Sequence, residues 1–242
     1  MSGHRAKWSG DWSLVNDLLV VDKPLHMTSM HICRIVRRRL VNAGAPKRVK
    51  VGHGGTLDPL ASGVLVVLIG KATKRCEEIM AGEKEYLAEI DLGRVSTTDD
   101  LEGEVSEISV FRPPAETEVR DVLTGFTGVI DQTPPAHSAV KVGGERAYRL
   151  ARNGADPKLA ARPVTIHSID IVEYAFPKLV IDVTCGKGTY IRSLARDIGR
   201  ALGTGGMLVG LRRTRVGQFS IEHATPIDDV PDPLSPDMFG RG

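Results

Sequence analysis

Cysteine is scarce in this chain. Its three residues, Cys33, Cys76 and Cys185, are odd in number and far apart. No CxxC pair and no Cys/His cluster occurs, which excludes a zinc framework or a disulfide scaffold as the basis of the fold. A reducing, cytoplasmic compartment is the expectation that follows. Long apolar runs are missing as well. The longest, Val64 to Ile69, is far too short to span a bilayer. The N-terminus, with His4, Arg5, Lys7 and Asp11, has no apolar stretch of the kind a signal peptide needs, so no leader and no membrane association are expected. A P-loop would need GxxxxGK[ST], and a dinucleotide turn would need GxGxxG opening a helix; neither pattern occurs. An excess of one charge sign is nearly absent: 32 Lys and Arg against 30 Asp and Glu leave +2 over 242 residues.

What is present is an ordinary globular composition, 41% hydrophobic and 26% charged, long enough to bury a sizeable core. The charge is unevenly placed. Residues 31–50 hold Arg34, Arg37, Arg38, Arg39, Lys47, Arg48 and Lys50 and no acid. Residues 187–215 hold seven cations against Asp197, while residues 77–107 are mainly acidic. Gathered on one face, the basic stretches would make a footprint for a polyanion; left apart, they are solvated helix faces.

Hydrophobic spacing and turn residues predict the elements. Leu18–Val21 reads as a strand, and Thr28 or Ser29 caps a helix reaching about Leu40. A brief strand at Val49–Val51, a loop from Gly52 to Pro59 and a buried strand at Gly63–Ile69 follow. Ala72–Met80 and Thr117–Phe126 read as helices, and Tyr86–Leu92 as a strand. Ser138–Val142 reads as a strand, and Glu145–Arg152 as a short basic helix. Val164–Tyr174 and Leu179–Cys185 are β-rich, and Tyr190–Leu202 is helical up to Gly203. The Asp/Pro-rich tail from Pro226 reads as loosely held. Many strands with interspersed helices and no strict βαβ alternation indicate an α+β protein.

The densest segment is Gly52-His53-Gly54-Gly55-Thr56-Leu57-Asp58-Pro59-Leu60-Ala61-Ser62-Gly63. Its glycines permit backbone shapes that let a loop approach a ligand closely. Pro59 holds Asp58 extended and stiffens the loop around its carboxylate. The plain alternative is a glycine-rich turn whose aspartate caps its own backbone. His53 and Asp58 lack a third ligand at useful spacing for a metal site.

This segment resembles the signature of the TruB family of tRNA pseudouridine-55 synthases. Further matches follow in the family's order: Val21-Asp22-Lys23-Pro24, Gly70-Lys71-Ala72-Thr73-Lys74, Lys84-Glu85-Tyr86 and Asp100-Leu101-Glu102-Gly103. Then come Thr133 to Lys141, Gly188-Thr189-Tyr190-Ile191-Arg192 and Leu211-Arg212-Arg213-Thr214. The resemblance implies the pseudouridine synthase fold, a bent, mixed and mostly antiparallel sheet with flanking helices and loops. It implies that Asp58 is the essential carboxylate, that Tyr86 stacks on the target base and assists loss of its C5 proton, and that Arg192 pairs with the aspartate. Lys23, Tyr190 and Leu211 resemble pocket-wall residues. His53 resembles the histidine that holds the rearranged T loop, Lys74 a substrate-binding lysine, and Asp100 an aspartate contacting RNA. An insertion at about 131–162 would close on the T arm, with Arg146, Arg149 and Arg152 meeting phosphates.

The expected organisation is an N-terminal extension over 1–16, a catalytic domain over 17–225 and a tail over 226–242 without the small PUA RNA-binding domain that many bacterial members carry. The substrate implied is the T arm of tRNA, the protein acting as a monomer with no metal, no other cofactor and no obligate protein partner. Two alternatives stand beside it: a synthase for another RNA, such as the guide-directed branch, and a non-catalytic tRNA-binding or folding protein. The chain departs from the family at His26, where glycine is usual, and at Met30, where histidine is usual.

Overall fold

The computed structural model describes residue 8 and residues 10–138, 140–142, 144–152 and 157–239. These residues fall into two compact units, one from the described residues within 1–84 and 212–242 and the other from those within 85–211.

In the first unit, β1 (Asn16–Lys23) leads into α1 (Ser29–Asn42), whose N-cap Thr28 accepts a hydrogen bond from the His31 amide at 3.1 Å. Then come β2 (Val51–His53), β3 (Ala61–Gly70) and a 3-10 turn over Lys71–Arg75 that runs into α2 (Cys76–Ala81). The helix expected over Ala72–Met80 is thus split in two types. β3 is the hub: β1 pairs with it antiparallel from Asn16↔Gly70 to Lys23↔Gly63, and β2 pairs along Val67–Ile69. Its alternating side chains feed two cores. Leu65, Val67 and Ile69 pack with Ile32, Val36 and Leu40 of α1, while Val64, Val66 and Leu68 pack with Ile79 and Val216. That double coverage explains why β3 reads as one unbroken apolar run.

The second unit runs through β4 (Lys84–Asp91), the hairpin β5 (Arg94–Ser96) and β6 (Val105–Glu107), α3 (Glu116–Thr124) and β7 (Gly128–Gln132). The hairpin β8 (Lys141–Val142) and β9 (Glu145–Arg146) precedes α4 (Ala147–Arg152). β10 (Arg162–Ala175), β11 (Lys178–Cys185), α5 (Ile191–Leu202) and β12 (Met207–Val216) complete it. Its sheet is ordered β12-β4-β11-β10-β7, with β10 antiparallel to both neighbours. α5 ends where Gly203 turns left-handed at φ 68°. The last residues of β12 return to the first unit, with β13 (Phe219–Ser220) antiparallel to β12 and β14 (Thr225–Pro226) parallel to β1.

The mixed α+β architecture agrees with the expectation, but the tail does not. Ile227, Val230, Leu234 and Phe239 are buried in the core under α1. Arg39 fastens them, donating from Nη1 to the carbonyls of Ile227 at 2.5 Å and Val230 at 2.6 Å, while the Leu234 amide donates to the Arg39 carbonyl at 3.0 Å. Composition misled here because four spaced apolar anchors suffice to hold a polar segment. None of the three cysteines is in a disulfide, and Cys33 and Cys185 are buried.

Candidate active site

The Asp58 loop connects β2 to β3, and the first unit holds it from three sides. Ser29, at the start of α1, accepts from the Leu57 amide at 2.8 Å and donates to the Leu57 carbonyl at 2.9 Å, one residue from Asp58. The His26 amide donates to the Pro59 carbonyl at 2.7 Å. The third tie is Arg213 of β12, only 2% exposed. Its Nε donates to the Val64 carbonyl at 2.8 Å, Nη1 to Thr56 at 3.2 Å and Nη2 to Gly55 at 3.2 Å. One guanidinium therefore ties together both limbs of the loop, the geometry a rigid fork of donors is suited to. Gly63 sits where this closeness requires it: at φ 106°, a Cβ would lie 2.2 Å from the Arg213 carbonyl oxygen.

Asp58 itself is half-buried. Lys23 ends β1 with no exposed surface, its Nζ donating at 2.8 Å to the carbonyls of both Pro24 and Met27. Burial lowers its pKa to about 8, with the Asp58 carboxylate working to raise it and the Arg213 cation to lower it. The loop thus carries a carboxylate within electrostatic reach of the buried Lys23. His53 lies half-buried on β2, its pKa lowered by burial first and by Arg213 second, so that the imidazole is kept neutral. Its Nδ1 is buried and has no hydrogen-bond partner among the described residues. Lys74 is exposed in the 3-10 turn after β3.

His26 marks the departure from the family pattern. Its backbone is left-handed, with φ 62°, a conformation natural to glycine and costly for other residues.

The second unit, by itself, holds a different buried group. Arg192, at the start of α5, is buried and pairs with Asp100, Nη1 to Oδ2 at 3.1 Å. It also donates to the carbonyls of His137 at 3.1 Å and Thr98 at 3.4 Å. Asp100 has no exposed surface, and its other oxygen accepts from Thr98 and from the Glu102 amide. Inside the protein, the Asp100 carboxylate holds Arg192. The neighbouring Arg196 pairs with Asp99 and Asp197, each at 2.9 Å.

Tyr86 is buried on β4 and faces the same way as Ala88 and Ile90. Tyr190 precedes α5, half-buried, with the Arg162 guanidinium 5.2 Å from its ring centroid. Its backbone is fixed by Gln132 of β7: the Tyr190 amide donates to Oε1 at 2.8 Å, and Nε2 donates to the Tyr190 carbonyl at 3.1 Å. Leu211 is half-buried on β12. Of the basic insertion, Arg149 is exposed on α4, whereas the side chains of Arg146 and Arg152 lie outside the described residues. The strand expected over Ser138–Val142 is reduced to β8, and the helix expected from Glu145 starts at Ala147, after β9.

The sequence reading missed the structural work of Arg213 and Gln132. Arg213 lies within a quoted motif and follows Leu211 by two residues on the same strand, so it was visible as a position, though its carbonyl partners were not.

Among the described residues, no group of three or more His, Cys, Asp or Glu is arranged to hold a metal ion.

The mixed sheet with flanking helices is the fold of the pseudouridylate synthases. The model of the TruB family pseudouridylate synthase N-terminal domain matches residues 38–191, and that of the tRNA pseudouridylate synthase B C-terminal domain matches residues 192–235. The chain belongs to the TruB family. It is 44% identical over 216 residues to a tRNA pseudouridine synthase B of Phocaeicola vulgatus, covering 89% of this chain and 92% of that one. The corresponding protein of Parabacteroides distasonis is 42% identical, covering 90% and 93%. Among solved structures, a Cbf5-Nop10-Gar1 complex matches with TM-score 0.68 and 31% identity over 88% of this chain, which spans 53% of the length of the matched chain.

Proposed function

We infer that this protein is a tRNA pseudouridine synthase that converts one uridine, at position 55 in the T loop, to pseudouridine. The observation that carries this reading is similarity, over 89% of this chain and 92% of its relative, to a protein named tRNA pseudouridine synthase B, together with an aspartate on a loop that three separate ties hold in place.

The reaction breaks the C1′–N1 bond of the nucleotide and makes a C1′–C5 bond. The C5 proton is lost and N1 gains one, so electrons and atoms balance with no redox partner. The target must leave its stack to be reached, as in other base-modifying enzymes. Asp58 is the group that engages base or ribose while the glycosidic bond opens. Tyr86 stacks on the detached uracil and assists the C5 proton's departure, stacking being tolerant of the ring's rotation. Arg192, fixed by Asp100, takes the role of the family's arginine, and Lys23, Tyr190 and Leu211 take the roles of the family's pocket-wall residues. His53, half-buried beside the loop, suits contact with the displaced T loop, and Lys74 and the cations of residues 141–162 suit backbone phosphates. The reading takes the protein as a cytoplasmic monomer without an obligate partner; among the described residues no helix is long and apolar enough to cross a membrane.

The test is direct. Purified protein is incubated with an unmodified tRNA transcript in EDTA, and pseudouridine is mapped by position. One modified site in the T loop is the expected result. No pseudouridine, or pseudouridine only in another RNA, would reject the reading.

A further inference from the structure

Residues 31–50 hold seven cations and no acid, and the structure divides them into two sets. Two are used internally: Arg37 donates to the Val51 carbonyl at 3.2 Å, and Arg39 holds the carbonyls of Ile227 and Val230. The other five, Arg34, Arg38, Lys47, Arg48 and Lys50, are exposed. Among the described residues of this unit, the ion pairs involve Arg75, Arg212 and Arg215, so none neutralises these five.

Their placement is ordered. Ile32, Val36 and Leu40 bury one face of α1. Arg34 and Arg38, four residues apart, form a ridge on the opposite face. Arg37 on one flank reaches β2, and Arg39 and Asn42 on the other reach the acidic tail, where Asn42 donates to Asp232 at 2.8 Å. The ridge between them is free of acid. The segment after α1 brings Lys47, Arg48 and Lys50 to the start of β2, beside the Arg37 anchor at Val51.

The helix that bears this ridge starts at the active-site loop. Ser29 is bonded to Leu57, next to Asp58. At a rise of about 1.5 Å per residue, Arg34 and Arg38 lie roughly 8 and 14 Å along the axis from Ser29. An RNA with one base at Asp58 has further backbone within that reach. Exposed, unpaired cations beside such a loop suit phosphates, which position RNA without reading its sequence.

We propose that the α1 ridge and the 47–50 segment form a second RNA-binding surface, which takes backbone phosphates of the substrate tRNA separately from the basic stretch at 141–162. This rests on the tRNA-modifying function inferred above.

The probe is one tRNA transcript, its affinity for the protein measured against salt concentration. The variant is Arg34→Gln/Arg38→Gln/Arg48→Gln, all exposed positions. The expected result is a salt slope smaller by about 2 to 3, close to one per lost phosphate contact, and affinity roughly tenfold or more weaker at low salt. Turnover at saturating tRNA should stay within about twofold, since uniform binding is what is lost. The same loss is expected on a transcript with cytidine in place of the target uridine. An unchanged slope, or a loss confined to the uridine-bearing transcript, would overturn the proposal. Binding is measured without turnover, so wild-type protein that binds through this surface yet forms no pseudouridine would reject the inferred function and leave the surface standing.

Discussion

Each unit buries an arginine, Arg213 in the first and Arg192 in the second, and the two are satisfied differently. Arg213 gives its hydrogen bonds to three carbonyls, all from the limbs of the Asp58 loop. Arg192 has a buried carboxylate, Asp100, as well as carbonyls. A guanidinium held by carbonyls fixes backbone shape and leaves its charge to act on the surroundings, here Lys23 and His53. A guanidinium held by a carboxylate is a shaped ion pair, whose orientation is set by the partner. Removing one member of such a pair strands a buried charge.

Substitutions can separate these two designs. Arg192→Lys keeps the charge and loses the fork, so turnover should fall about a hundredfold, the size expected for misplacing a positioning group. Asp100→Asn should fall comparably, and the double variant should be little worse than either. Additive losses would show that Asp100 acts independently of Arg192.

Arg213→Lys should act mainly on the loop's shape. Losing two of three charge-assisted hydrogen bonds should lower stability by about 2 kcal/mol or more and turnover about tenfold, with tRNA affinity nearly unchanged. Thermal unfolding and single-turnover rates measure both. A stable variant with wild-type turnover would reduce Arg213 to core packing.

A smaller effect separates the two by pH. Lys23 is charged below about 8 and neutral above, because burial lowers its pKa from 10.5. Wild-type turnover should decline a few-fold as pH rises through that value. Lys23→Met, slower throughout, should lack this limb. The burial penalty of the charge is present below about 8 and fades as pH rises toward 10.5, so wild type should gain stability relative to Lys23→Met across that window. Identical profiles would remove Lys23 from the electrostatics of the loop.

The smallest effect is His26→Gly, which relieves a left-handed φ of 62°. Unfolding free energy should rise by roughly 0.5–1 kcal/mol, with turnover unchanged. Destabilisation would mean that the histidine side chain compensates for its backbone.

Much of this site was legible in the sequence for physical reasons. Glycine and proline at 52–63 mark a constrained loop, and Thr28 marks the cap of α1, because few residues serve those backbone positions. What stayed hidden depends on long-range partners. In β12, Arg212, Arg213 and Arg215 interrupt the alternation that would reveal a strand, and a buried arginine in a basic run looks like a solvated one. Asp100 was visible as a motif residue, but its burial and its hold on Arg192 were not. The tail's Asp/Pro-rich composition concealed four anchors whose pocket is formed by residues some two hundred positions earlier.

The central claim is that Asp58, on its clamped loop, carries the chemistry and not the grip on RNA. The measurement that tests it most directly compares Asp58→Asn with wild type for single-turnover pseudouridine formation and for tRNA affinity under the same conditions. The account predicts turnover lower by at least about a thousandfold, with affinity within about tenfold, because the loop's ties survive and only the carboxylate charge is lost. Turnover near wild type, or a loss explained entirely by weakened binding, would contradict it.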